Sequence, residues 1–234
     1  MTSGENTSPN PTHARRSYEQ YCAVAKALDV IGERWTLLIL RDLVHLGPRR
    51  YTDLLQALPG IGTNLLAGRL RQLEDAGVVR RRRLPPPAAT VVYELTEMGR
   101  GLEPALIAIG RWGGQFMAER QECDVFFPTG HISGMRAVFD PERAGDLSID
   151  AELRVAGEPL SVSVHDGRLD ARQGPADHPE LIVEIGLDPS IDLMLRRVTP
   201  EAAIASGDAI LVTGSARAFS RLIDAVAWVP AENG

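Results

Sequence analysis

A chain of 234 residues, 44% hydrophobic and 24% charged, is longer than the roughly 100–150 residues of an ordinary domain, so more than one folded unit is expected. Its formal charge of -6 is unevenly placed: residues 1–120 hold 16 Lys and Arg against 12 Asp and Glu, residues 121–234 hold 9 against 19, so only the first half suits a polyanion. Two distant cysteines, Cys22 and Cys123, argue against a disulfide framework, and with no signal-peptide core and no apolar run near the roughly 18 residues of a membrane span, a soluble cytoplasmic protein without a membrane partner is expected.

Residues 1–16, rich in Ser, Thr, Pro, Asn and Gly, have little to bury and are expected to form a disordered tail. A first unit then spans 17–118. Tyr21, Val24, Ala25 and Leu28 make one helical stripe; Trp35, Leu38, Ile39, Leu43 and Leu46 make a second, stopped by Gly47-Pro48. Tyr51, Leu54, Leu55 and Leu58 fall at i, i+3, i+4 and i+7, and Leu66, Leu70 and Leu73 repeat helical spacing after Pro59-Gly60. Two short helices joined by a tight turn follow, the second presenting Asn64, Gly68 and Arg71, with Ala67 and Gln72 at the edge, on its outer side. Arg80, Arg81, Arg82 and Arg83, the prolines 85–87 and the extended run 90–95 read as a basic hairpin, and a helix-turn-helix followed by such a hairpin is a winged helix. Leu106, Ile109 and Phe116, with Ala105, Trp112 and Met117, predict a further helix kinked at Gly113-Gly114. Its stripe is expected to pack on a second copy of the chain, giving a homodimer that meets two half-sites about one DNA turn apart.

The residues expected to touch DNA divide by role. Thr63 can cap the recognition helix or donate to a phosphate, Asn64 can read adenine or touch the backbone, and Arg71 is placed for a base or a phosphate, with Ala67 and Gly68 beside it. Arg81 and Arg83 project to one side of the wing and Arg80 and Arg82 to the other, so one pair is expected to reach DNA, the alternative being a merely solvated cationic face. Arg49 and Arg50 flank the motif; Arg50 can instead pair with Asp53, and Arg69 reads as structural. Cys22 is either a packing residue or a thiol switch.

Cys22-Ala-Val-Ala25, Trp35-Thr-Leu-Leu-Ile-Leu40, Arg50-Tyr-Thr-Asp-Leu54, Arg69-Leu70, Gly77-Val-Val79 and Tyr93-Glu-Leu-Thr-Glu-Met-Gly99 together resemble the HxlR family of winged-helix regulators. The resemblance implies a dimeric bacterial transcription regulator that binds double-stranded DNA through the second motif helix and the wing, with a cysteine at the position of Cys22 that senses oxidants in some members. Gly62-Thr63-Asn64 departs from the serine and basic residue common there, so no operator preference carries over.

After a linker at 119–130, a second unit is expected over 131–230. Leu147, Ile149, Ala151, Leu153 and Val155 alternate with polar residues, as do Leu160, Val162 and Val164; Asp166-Gly167 marks a hairpin and Leu181, Val183, Ile185 and Leu187 alternate again. Helical spacing returns at Ile191, Met194, Leu195 and Val198 and at Phe219, Leu222, Ile223 and Val226. The fold class is therefore α+β: a winged helix followed by a mostly antiparallel sheet covered by helices.

Val162-Ser-Val-His-Asp-Gly167, Leu181-Ile-Val183, Thr199-Pro-Glu-Ala-Ala-Ile-Ala-Ser-Gly-Asp208 and Val212-Thr-Gly214 make this half similar to the sterol-carrier-protein fold, in which a five-stranded sheet and its helices enclose an apolar tunnel. No opening helix is evident between Thr129 and Val138, and the chain ends without a peroxisomal address. The resemblance implies an apolar small-molecule effector, with Leu193, Met194, Phe219 and Ile223 either lining its cavity or forming plain core. Histidines are scattered, no nucleophile elbow, HExxH or phosphate loop occurs, and neither enzymatic activity nor a cofactor or metal is expected. The expected function is a ligand-responsive transcription regulator; the alternative is a lipid or small-molecule carrier whose winged helix serves only as an interaction module.

Overall fold

The computed structural model describes residues 17–117 and 128–228. The expected tail, Cys123 and nearly all of the expected linker lie outside these residues.

The first unit starts with α1 (Ala23–Ile31), ended where Gly32 N–H bonds Leu28 O at 2.8 Å. α2 (Thr36–Leu46) follows Trp35, whose φ of 78° is unusual for a bulky residue; the Arg34 guanidinium lies 5.3 Å from its ring centroid and Gly60 packs on its other parts. α3 (Tyr51–Ala57) is opened by the Arg50 N–H, which donates to Asp53 Oδ2 at 3.0 Å. Gly60, at φ 88°, makes the left-handed turn into α4 (Thr63–Asp75). Ile39, Leu40, Leu54, Leu66, Leu70 and Leu73 form one buried core under these helices, as the leucine spacing predicts. β1 (Val79–Arg83) and β2 (Val91–Leu95) pair antiparallel from Val79↔Leu95 to Arg83↔Val91, and Arg49 adds a bridge to Tyr93, completing the wing. Thr96 then caps α5 (Glu97–Arg100) by accepting from Gly99 N–H, and α6 (Glu103–Gly113) passes into a 3₁₀ turn (Gly114–Phe116) where the glycine pair predicts a kink.

α7 (Pro128–Val138) begins inside the expected linker and corrects the expectation of no helix there. Gly130 and Gly134 hide it from propensity, yet Ile132 and Met135 are buried, and Gly134 lies close under Met194, whose terminal methyl a Cβ there would meet at 3.1 Å. α8 (Pro141–Ala144) is capped by the Asp140 carboxylate. β3 (Ile149–Val155), β4 (Glu158–His165), β5 (Arg168–Gln173), β6 (Leu181–Ile185) and β7 (Ala209–Thr213) form a five-stranded sheet in the order β5-β4-β3-β6-β7, antiparallel except between β3 and β6. Ile149, Ala151, Leu153 and Val155 are all buried, matching the period-two reading. α9 (Leu187–Met194), α10 (Pro200–Ser206) and α11 (Ala216–Val226) complete the unit. α9 stops short of the predicted Val198 because the chain leaves helical conformation at Leu195 and turns left-handed at Arg196, φ 55°.

The two halves touch through α7, which packs on α6 and α2 as well as on the sheet. Gly110 of α6 packs close on Ala137, where an added Cβ would lie 3.2 Å from the Ala137 Cβ, the Arg111 guanidinium donates to Ala137 O, and Arg136 reaches Glu103 at 3.4 Å. The α6 stripe is therefore split: Leu106 packs inward, while Ile109, Trp112 and Phe116 remain exposed.

Candidate nucleic-acid interface

α4 turns Thr63, Asn64 and Arg71 to solvent, with Ala67 and Gly68 partly covered on the same side. Gly62, not Thr63, is the N-cap; Thr63 is the first helical residue and no side chain caps the helix. Its first-turn N–H groups are thus left for an anion, where the helix dipole adds to their attraction. Tyr51 Oη donates to Thr63 O at 2.6 Å and holds this end against α3. A Cβ added at Gly68 meets nothing within 4 Å, so this part of the helix surface is slim enough for close approach. Leu65, 40% exposed, was missed by reading only the buried stripe; it offers an apolar contact of the kind that reads a thymine methyl.

The wing arginines separate as alternation predicts, but their partners decide which charge is available. Arg80 Nε and Arg82 Nε donate to the two oxygens of Glu94, at 2.8 and 2.7 Å, so two cations share one carboxylate, which they hold below its ordinary pKa. Arg81 clamps Glu74 of α4 through Nε and Nη2 at 2.8–3.0 Å and lies 5.7 Å from the Tyr93 ring centroid, tying wing to recognition helix. Arg83 and Arg71 are exposed and make no ion pair among the described residues. Arg50 is exposed too; Asp53 takes its backbone N–H rather than its guanidinium. Arg49 is half-buried, and its charge acts on the buried Asp42 rather than on the groove face. Arg69 pairs with Glu33 at 2.8 Å and Gln72 at 2.7 Å, a structural role as expected.

Cys22 is exposed at the N-terminus of α1, which removes the packing alternative, and the backbone N–H groups of Ala25 and Val24 lower its thiol pKa. The four residues expected around a ligand converge on a void of about 20 Å³, enough for a single water. Leu193, Phe219 and Ile223 are core, with Met194 partly buried beside them; the expected guest-sized space between sheet and helices is filled by Phe219 and its neighbours. Among the described residues no group of three or more His, Cys, Asp or Glu is placed to hold a metal ion, and no helix is long and apolar enough to cross a membrane.

A groove-sized helix with free first-turn amides, an unpaired arginine on its outer face and a cationic hairpin clamped beside it define a winged-helix DNA-binding transcriptional regulator. Comparison with known proteins agrees. The family model described as HxlR-like helix-turn-helix matches residues 30–121. The HTH-type transcriptional regulator sll1512 of Synechocystis sp. is 38% identical over 109 residues, covering 47% of this chain and 79% of that protein, and the HTH-type transcriptional regulator YodB of Bacillus subtilis is 36% identical over 90 residues, covering 38% of this chain and 80% of that one. The solved reduced form of B. subtilis YodB aligns at 32% identity and a TM-score of 0.37, over 44% of this chain and all of that one. This chain belongs to the HxlR family.

Proposed function

We propose that this HxlR-family regulator acts as a homodimer and that its second half, a domain of the sterol-carrier type joined near residues 119–130, senses an apolar small molecule. The observation that carries the sensor reading is the seating of α7: one helix packs on α2 and α6 of the DNA-binding half and on the sheet of the other, so a change in either half is felt by both. The dimer reading rests on large apolar side chains left uncovered on the two helices at the edges of the winged helix, Tyr21, Val24 and Leu28 on one side and Ile109, Trp112 and Phe116 on the other. Thr63, Asn64, Arg71, Arg83 and Arg50 are the proposed DNA contacts, with Ala67 and Gly68 admitting the groove edge.

Footprinting on duplex from the gene's own upstream region should show two protected half-sites about one turn apart, with a steep salt dependence. Trp112→Glu puts a charge into the proposed dimer face; sedimentation should then report a monomer, and affinity for the two-site duplex should fall at least tenfold through lost avidity. A dimer unchanged by this substitution places the interface elsewhere, and salt-insensitive or sequence-blind binding removes the regulator reading.

Cys22 carries a subsidiary redox role, favoured by its exposure and its lowered pKa. In a Cys123→Ser background its alkylation by iodoacetamide should have a rate–pH midpoint below that of free cysteine, and Cys22→Ser should abolish any change of DNA affinity on oxidation. An oxidant response that survives in Cys22→Ser rules the role out.

A further inference from the structure

A second empty space, larger than the void inside the sheet domain, lies at the junction of the two halves. A cavity of about 450 Å³ opens between α2, α6, α7 and α9, walled by Leu37, Leu38, Leu106, Ile191, Met194 and Trp228. That size falls in the range of drug-sized ligand sites, and apolar walls carrying a few polar atoms are their usual make-up. Two residues of this wall each bury a polar atom without a hydrogen-bond partner, His45 Nδ1, on a residue only 8% exposed, and Ser133 Oγ, and both atoms sit just behind the cavity surface. Leaving such a group unpaired costs on the order of 1–3 kcal/mol each, which a bound molecule would recover once the side chain turns its polar atom into the cavity.

The charges around the cavity narrow the ligand class. Arg41 is held by Asp42 at 2.8 Å, and Arg136, the other guanidinium whose field acts on His45, by Glu103 at 3.4 Å and Asp170 at 3.6 Å. Among the described residues no guanidinium around the cavity is spare for an anionic head, and the paired carboxylates are equally committed against a cationic one. What remains is a pair of neutral hydrogen-bonding atoms behind an apolar wall.

We infer that the junction cavity, framed by Leu38, His45, Ser133 and Met194, is the effector site of this protein and takes an uncharged apolar molecule bearing one hydroxyl or carbonyl group. This inference rests on the sensor reading above and moves the site from the core of the second half to its contact with the first. An occupant touches α2 and α6 of the DNA-binding half and α7 and α9 of the other at once, so it binds one relative placement of the halves better than another. That difference in affinity is what ligand control of DNA binding requires.

The test uses the full chain and three ten-carbon probes that differ only in the head group: decan-1-ol, decanoate and decylamine. Trp228 fluorescence, compared with that of Trp228→Phe, should change saturably with decan-1-ol, and the two charged probes should bind at least tenfold more weakly. Leu38→Trp, a substitution at the half-exposed rim, should weaken the alcohol at least tenfold with the circular dichroism unchanged. Ser133→Ala, which removes the unpaired hydroxyl without adding an atom to the cavity, should weaken it about fivefold. Tighter binding of decanoate overturns the ligand class; no saturable change with the alcohol, or binding indifferent to both variants, overturns the site. Binding that obeys the variants but leaves affinity for upstream duplex unaltered keeps the site and overturns the sensor reading, whereas a shift in that affinity supports both.

Discussion

Replacing Arg71 and Arg83 together by alanine should lower affinity for the upstream duplex on the order of a hundredfold and reduce the slope of log affinity against log salt by nearly two. The magnitude follows from treating each as one contact, worth about 1–3 kcal/mol at a base or close to one released counterion at a phosphate. These two are chosen because each is exposed and makes no ion pair among the described residues, so the whole charge is available. Arg80→Ala or Arg82→Ala should cost less than either, because each guanidinium is already hydrogen-bonded to Glu94 and has fewer donors left for a phosphate. Glu94→Gln should act in the opposite sense, freeing two guanidiniums and raising affinity for unrelated sequences more than for the operator, since added phosphate contacts carry no sequence information. Arg81→Ala should weaken binding through geometry rather than charge, because its clamp on Glu74 holds the wing against the recognition helix. Electrophoretic shift titrations at several salt concentrations measure all four. A double variant within twofold of wild type, with an unaltered slope, would remove α4 and the wing from the interface.

How far these residues were legible in the sequence depends on how far apart their partners lie. The leucines at 66, 70 and 73 report the core face of α4 directly, since burial and spacing are the same fact in a helix, and the alternation of Arg80 to Arg83 reports the two sides of a strand in the same way. The partners are another matter. Glu94 faces Arg80 only through the register of the hairpin, and Glu74 faces Arg81 only once the wing folds back on α4, so the selection of Arg71 and Arg83 from a run of similar charges needed coordinates. Thr63 looked like a cap because threonine commonly is one; Gly62 takes the place by backbone conformation alone, with φ -75° and ψ 149°.

The second half was legible in its strands and not in its cavity, for a related reason. Strand alternation is local, but whether a helix over a sheet leaves space beneath it depends on side-chain volumes from several elements meeting at one point. Phe219, Leu193 and Ile223 meet closely enough to leave about 20 Å³. The larger space arises where α2, α6, α7 and α9 meet, and α7 itself was hidden by glycines that lie close to their neighbours: Gly134 beside Met194, with Gly110 of α6 beside Ala137. A glycine that lowers helix propensity in isolation here lies where two helices approach.

The largest expected effect on stability is acid sensitivity well above the carboxylate range. His131 is buried, and since the Ser190 hydroxyl donates to Leu187 O at 2.6 Å, the 2.8 Å contact between Ser190 Oγ and His131 Nε2 makes the ring nitrogen the donor. Burial pushes its pKa down to about 4; His45 is likewise pushed to about 4 by burial and by the charges of Arg136 and Arg41. In both cases the folded pKa lies below the unfolded value of about 6.5, so the unfolded chain binds more protons and stability falls as pH drops from about 6.5 towards 4. At pH 5 the loss is about 2 kcal/mol for each histidine, a large part of a typical total stability. Asp42, whose carboxyl burial raises, opposes this trend, while Glu94 and Asp140, held low mainly by arginine hydrogen bonds, add to it only at more acid pH. Urea midpoints at pH 7.5, 6 and 5 should therefore fall steeply for the wild type and much less for His131→Gln with His45→Gln. The slope rather than the absolute stability is the readout, because either glutamine will cost packing at every pH. A wild-type midpoint that does not move between pH 7.5 and 5 would mean that the folded chain takes up protons on both rings as readily as the unfolded one.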